Sequence, residues 1–252
     1  MSRYSRRTIS LNDRNGLDEE TFRAIKPAVL TRDQHTCQGC GIELLPFEDS
    51  PSGGLDVHHK NKRPNDNNED NLISLCRLCH GIFHIGFFAR EWQKGMLLIH
   101  CPECAQRDLN LLSWTMAIAF RKMHTSSNKS IAYSFHRLLR TLKRRTQIDD
   151  SYFDNKEDTD RLNTLISQKP NIAFFGTLLG ILRSRNPTAY ADRARWLGGL
   201  RVFYDPTADK VFEDRRGHDL AAHLAETQAW QKGSGWAETW LSISNQCANE
   251  ML

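Results

Sequence analysis

Residues 37 to 84, CQGCGIELLPFEDSPSGGLDVHHKNKRPNDNNEDNLISLCRLCHGIFH, decide how this chain reads. Two Cys-x-x-Cys pairs, Cys37 with Cys40 and Cys76 with Cys79, open and nearly close the stretch. A two-residue gap lets both sulfurs of a pair reach one ion from a tight knuckle turn, so the four thiolates suit a single tetrahedral Zn2+ of structural type. Four unrelated buried thiols are the competing reading, and two matched pairs argue against it. Between the pairs the pattern predicts a turn at residues 49–54, a short strand at 55–58, a polar loop at 63–70 and a second apolar run at 72–75. A helix is then expected to open at Cys79 and run through His84. Upstream, Phe22, Ile25, Val29 and Leu30 form a helical stripe across residues 18–33, interrupted by Pro27, which leads into the first knuckle.

Inside the cysteine clamp lie Val57-His58-His59-Lys60, then Asn71, then His80 and His84 four residues apart. A spacing of four puts His80 and His84 on one helical face. These residues resemble the HNH, or ββα-metal, nuclease family, whose pattern runs Cys-x-x-Cys, His-His, Asn-Leu, Cys-x-x-Cys-His and a final His. The resemblance covers roughly residues 20–95 and implies a small treble-clef module. It also implies that His58, His80 and His84 ligate a catalytic divalent metal, that His59 is the general base, and that Asn71 orients the loop holding His59. Phosphodiester hydrolysis needs an activated water on one side and a cation at the leaving oxygen on the other, and an imidazole of pKa about 6.5 takes a proton at neutral pH. Three imidazoles favour Zn2+, Ni2+, Co2+ or Mn2+ over Mg2+, which prefers oxygen. In the bland alternative His80 and His84 only pack on the zinc helix and the His-His pair is solvated; a match at all five positions argues against it.

At 252 residues the chain is longer than one typical domain, which points to a small motif-bearing module joined to a larger body. We read residues 1–17 as a flexible basic tail, 18–100 as the zinc module with its lead-in helix, and 101–252 as a mainly helical partner-docking region. The fold class is therefore α+β. A formal net charge of +4 permits contact with phosphates or an acidic partner without demanding either. Residues 1–17 lack the apolar core of a signal peptide, and the longest apolar stretch, residues 172–182, is too short to span a bilayer. Six of the seven cysteines fall in three Cys-x-x-Cys pairs, with Cys247 left over, which suits metal ligation in a reducing, cytoplasmic compartment.

After a strand expected at residues 96–100, helical patterns follow at 109–123, 128–147, 159–168, 172–183, 190–203 and 219–231. The second of these sets Ile131, Phe135, Leu138, Leu139 and Leu142 on an apolar stripe and gathers Arg137, Arg140, Lys143, Arg144 and Arg145 into a basic cluster. Such a cluster binds DNA phosphates or an acidic protein tail, or is simply a solvated face. Trp196, Trp230, Trp236 and Trp240 read as core or partner-facing anchors. The third cysteine pair, Cys101 and Cys104, has no fourth pair to complete a site; it takes a second zinc with help from His100 or Cys247, or stays as two reduced thiols.

Over roughly residues 30–200 the chain resembles the IcmJ/DotN family of type IVB (Dot/Icm) secretion systems and related conjugation machines. The resemblance rests on residues 36–41 (TCQGCG), 102–110 (PECAQRDLN) and 140–147 (RTLKRRTQ). It implies a component of a coupling complex, with a membrane-anchored coupling ATPase and other secretion subunits as partners and a location peripheral to the inner membrane. In that family the zinc module is structural. Three expectations therefore stand side by side: a secretion or conjugation component that keeps a complete nuclease-type residue set, a stand-alone metal-dependent endonuclease acting on DNA, and a non-catalytic nucleic-acid-binding zinc protein.

Overall fold

The computed structural model describes residues 16–92, 95–125, 129–145 and 199–227. Most of the basic tail, the helices expected at 159–168 and 172–183, the four tryptophans from Trp196 onward and Cys247 lie outside the described residues.

Helix α1, Gly16–Arg32, accommodates Pro27 and buries Phe22, Val29 and Leu30. Its C-terminal arginine fastens it to residues 69–72. The Arg32 guanidinium donates to the backbone oxygens of Glu69 and Leu72, each at 2.7 Å, while the Asp33 carboxylate accepts from the Ser74 amide at 2.8 Å. Strand β1, Leu55–His59, pairs antiparallel with β2, Leu72–Cys76, in a register that sets Leu55 opposite Cys76 and His59 opposite Leu72. Every residue of β1 is buried, because α1 and α2 pack against it. Helix α2, Arg77–Phe83, starts directly at the end of β2, with Cys76 as its N-cap residue.

A second helix, α3 (Ile85–Trp92), follows after His84 and buries Phe88 and Trp92. The sequence pattern predicts a helix only as far as His84, and α3 lies beyond that expectation. The backbone at His84, with φ −120° and ψ 38°, leaves the helical region and splits one apolar run into two short helices.

Strand β3 is Met96–His100, as the sequence predicts, and its partner is β4, Leu200–Tyr204. Residues 200–203 had been expected at the end of a helix. The alternation in Leu200-Arg201-Val202-Phe203-Tyr204 is a strand period, and it wins because each face of this sheet meets a different core. Met96, Leu98, Val202 and Tyr204 belong to the larger core shared with the zinc module; Ile99 and Phe203 belong to a smaller one with Phe135, Leu138, Leu139 and Leu142. Helix α4, Gln106–Thr125, serves both, giving Trp114, Ala117 and Ile118 to the first and Leu109, Leu112 and Met116 to the second.

Helix α5, Lys129–Arg144, lies beside α4, and the described chain closes with α6 (Asp209–Phe212) and α7 (Leu220–Thr227). Arg121 of α4 locks this closing segment in place through Asp219 (2.9 Å), the Pro206 carbonyl (2.6 Å) and Asp209 (3.1 Å). The fold is thus mixed helix and strand, and the described part after residue 100 contains a strand as well as helices. No helix among the described residues is long and apolar enough to cross a membrane.

Candidate metal centres

The first centre is built by two turns. Cys37 and Cys40 sit on a knuckle closed by the Cys37 amide on the Ile42 carbonyl (2.8 Å), with Gly41 in the left-handed region at φ +83°. Cys76 ends β2, and Cys79 lies in the first turn of α2. All four sulfurs lie within 4.8 Å of one another and all four residues are buried. Gly39 is required by this closeness, since a Cβ there would stand 2.8 Å from the Cys79 sulfur.

Hydrogen bonding from Cys40 pulls the Cys37 thiol far down, toward thiolate, while burial pushes Cys76 well up. Crowded sulfurs in a dry interior share negative charge poorly, and a divalent cation resolves the conflict. The donor set therefore fits structural Zn2+.

Two groups supporting these sulfurs come from outside the cysteine stretch. Asn110 Nδ2 donates to the Cys79 sulfur at 3.2 Å, and Trp114 Nε1 to the Cys76 sulfur at 3.4 Å. They stand one turn apart on α4, on the side facing the module. Trp114 is fully buried, and its indole N–H spends its hydrogen-bonding capacity on the sulfur.

The second centre joins His58 of β1 to His80 and His84 around α2. One ring nitrogen from each lies within 4.8 Å of the others, and the ring centroids are 4.7–5.4 Å apart. The rings meet edge-on, with interplanar angles of 68–84°. His58 is 5% exposed, and its Nε2 is buried without a hydrogen-bond partner. A buried imidazole nitrogen without a partner is costly, and a metal ion is a fitting recipient for its lone pair.

Asp56 completes the arrangement, and the sequence reading passed it over. Its Oδ2 meets His80 Nδ1 at 3.0 Å, and its Oδ1 accepts from Arg215 at 2.6 Å. Asp56 is buried, which by itself would raise its pKa; the His80 hydrogen bond and the charges of His80, Arg215 and Arg77 outweigh that and hold it well below the usual carboxylate range. A carboxylate on Nδ1 fixes the tautomer, leaving the lone pair of His80 Nε2 available to a metal. Two residues before His58 on the same strand, Asp56 shares its face by period two; that spacing is the signal that would have found it. Arg215, more than a hundred residues away, leaves no such local signal.

His59 points elsewhere, as the strand alternation requires. Its ring stacks on Phe22 of α1 (4.9 Å, 22°), and its Nε2 lies 3.0 Å from Asn67 Oδ1. The residue is 6% exposed. Asn71 ties the intervening loop together: its Oδ1 accepts from the Asn61 amide (3.1 Å), and its Nδ2 donates to Asn61 Oδ1 (3.0 Å) and the Asp66 carbonyl (2.8 Å).

The basic cluster of α5 divides. Arg137, Arg140 and Arg144 are exposed, whereas Lys143 pairs with Asp205 at 2.6 Å, and Arg145 pairs with Glu103 and donates to the Cys101 sulfur at 3.4 Å. Near that contact Cys101, Glu103 and Cys104 bring their ligand atoms within 4.8 Å of one another.

Two measurements follow. Asn110→Ala is expected to weaken zinc binding about 10–100-fold, the usual effect of removing a ligand's outer hydrogen bond, read by competition with a chromophoric chelator; an undiminished affinity would show that the N–H···S contact has no role. The second concerns pH. Burial, then the charge of His80, lowers His58 and His84 to about 4 each, so both imidazoles are neutral above about pH 5. Acid weakens metal binding by protonating ligands; with two ligands already neutral, Co2+ affinity of the zinc-loaded protein should fall at most about tenfold per unit between about pH 7 and pH 5. A loss well above tenfold per unit, toward the roughly hundredfold that three ordinary imidazoles would give, in Co2+ absorption titrations would refute this.

No protein-family model matches the chain. It is 28% identical over 135 residues to the Type 4 apparatus protein DotN of Legionella pneumophila, a match covering 54% of this chain and 58% of that protein. It is 30% identical over 97 residues to the Zorya protein ZorE of Escherichia coli, covering 38% of this chain and 25% of that protein. The chain thus spans 58% of the length of the first relative and a quarter of the second. Similarity to DotN, over more than half of the chain, supports kinship with the DotN family.

Proposed function

We propose that this chain is an IcmJ/DotN-like component of a type IV secretion or conjugation coupling machine, built on an HNH-type zinc module that carries a second, phosphodiester-hydrolysing metal centre at His58, His80 and His84. The likeness to a type 4 apparatus protein supports the first half. The single observation that supports the second is the meeting of three imidazoles around the buried, unpartnered Nε2 of His58, with Asp56 behind His80.

A divalent ion held by these three residues would supply positive charge at the phosphate and its leaving oxygen. The chain's own groups do the rest. Asp56 holds the His80 tautomer through Nδ1. Asn71 stiffens the loop that ends at the His59–Asn67 contact. His59 accepts the proton of the attacking water at Nε2, for which that nitrogen exchanges Asn67 for water. The exposed Arg137, Arg140 and Arg144 suit an acidic segment of a coupling ATPase, or DNA.

A second reading, a zinc scaffold with a dormant hydrolytic site, draws on the burial of His59 and the engagement of its Nε2 by Asn67. Plasmid nicking separates the two. With Mn2+, Ni2+, Co2+, Zn2+ or Mg2+ the protein should convert supercoiled DNA to open circles, and His59→Ala should cut the rate at least about 100-fold, the scale of a lost general base; no nicking with any of the five ions leaves only the scaffold. The coupling-complex half is tested by affinity capture from the native cells: a coupling ATPase should co-purify with the wild-type chain and be lost with the double variant Arg137→Glu, Arg140→Glu. Capture of no secretion subunit would overturn it.

A further inference from the structure

We infer that the face around His58 and His84 receives an unpaired nucleic-acid strand, with Phe83 and Phe87 stacking on its bases and Lys62 meeting its phosphates. The inference rests on the hydrolytic reading of the centre and adds the substrate class.

Three large apolar side chains among the described residues are exposed, and two of them stand here: Phe83 and Phe87, each 52% exposed, bracket His84 in the chain. Neither is needed to fill a core. Phe83 lies flat on the His58 ring, with centroids 4.6 Å apart and an interplanar angle of 28°. One ring face is thus spent on a metal-ligating residue, and the ring remains half exposed. Phe87 touches its neighbour Phe88 edge-on at 5.2 Å, and the Phe87 amide donates to the His84 carbonyl at 2.9 Å, which fixes it against the same turn. Exposed aromatic rings beside a site that acts on phosphodiesters offer what an unstacked base needs, a flat apolar surface indifferent to base identity. A base inside a duplex already has both faces covered and gains nothing from them.

Charge complements the rings. The turn after β1 carries Lys60, Lys62 and Arg63, all exposed. Lys62 is held in the left-handed region at φ +62°, unusual for a lysine, by its own amide on the His59 carbonyl at 3.0 Å. Sparsely populated backbone conformations concentrate where a side chain must be placed for function. Cations in the turn that directly follows His58 and His59 suit the phosphates flanking the scissile bond. An apolar protein segment would leave this charge without a counterpart, so nucleic acid is favoured over a protein on this face.

Fluorescence anisotropy with a labelled oligonucleotide, single-stranded or as a blunt duplex of the same sequence, tests this with the full chain carrying one zinc per molecule, enough for the cysteine site alone, and no free divalent metal, so that binding is read without cleavage. The single strand should bind at least about five-fold more tightly than the duplex, and Phe87→Ala should remove most of that preference, since one stacked base contributes about five-fold or more. Phe87→Tyr should keep it and Phe87→Leu should not, because only the former retains a π-face. Lys62→Gln should weaken both forms and lower the salt dependence of binding by about one released counterion. Phe87 is half exposed, so its loss opens no cavity, and retained zinc content confirms the fold. Equal affinity for the two forms, or a preference that survives Phe87→Ala, would overturn the inference. So would an affinity that Phe87→Leu preserves in full, which marks a generic apolar contact such as a protein would use. Nicking failure with strand preference intact would sink only the hydrolytic reading; equal cleavage of single strand and duplex would sink only this one.

Discussion

Four cysteine sulfurs packed within 4.8 Å of one another, in an interior sealed from water, form the constraint around which the rest is arranged. Their negative charge has no solvent to spread into, so the site suits a cation and gains from donors aimed at sulfur. Once they are tied, the end of β2 and the start of α2 are fixed relative to the knuckle at Cys37 and Cys40. That sets the register of the hairpin, and the register places His58 on the face shared with His80 and His84. The imidazole centre is a geometric consequence of the thiolate centre.

The region that carries the metal ligands was highly legible in the sequence. Cys-x-x-Cys spacing, a strand flanked by turn residues and a four-residue histidine interval are local patterns with physical meaning, and β1, β2 and β3 fall where those patterns put them. What escaped was non-local. Strand β4 was taken for the end of a helix because its partner lies a hundred residues upstream, and only that pairing shows that its two faces meet different cores. Arg215, which holds Asp56, and Asn110 and Trp114, which hold sulfur, are ordinary residues until tertiary contacts give them a role. Helix α3 was missed for the opposite reason: the break at His84 is so local that one apolar run hides two helices.

The neighbouring histidines of β1 show how the pleat assigns labour. His58 turns toward the imidazole cluster, and His59 turns toward Phe22 and Asn67, so a single dipeptide serves two environments. The first is shaped by an orphaned nitrogen, the second by a ring already engaged. The hydrolytic reading needs both sides to cooperate. Its most sensitive point is therefore the loop that Asn71 braces, which carries Asn67 against His59.

The contacts of Asn110 and Trp114 have a bearing on modularity. A zinc knuckle is often pictured as a cassette that keeps its structure wherever it is spliced. Here two of the donors that steady its sulfurs belong to the helix that also builds the second core with α5. A chain cut after residue 100 would keep the four cysteines and the three clustered histidines yet lose the indole and amide N–H groups that donate to two of the sulfurs. Recombination that moved the cysteine and histidine motif alone would carry the letters of the site without its grounding, so the unit that can be inherited intact is the module together with α4.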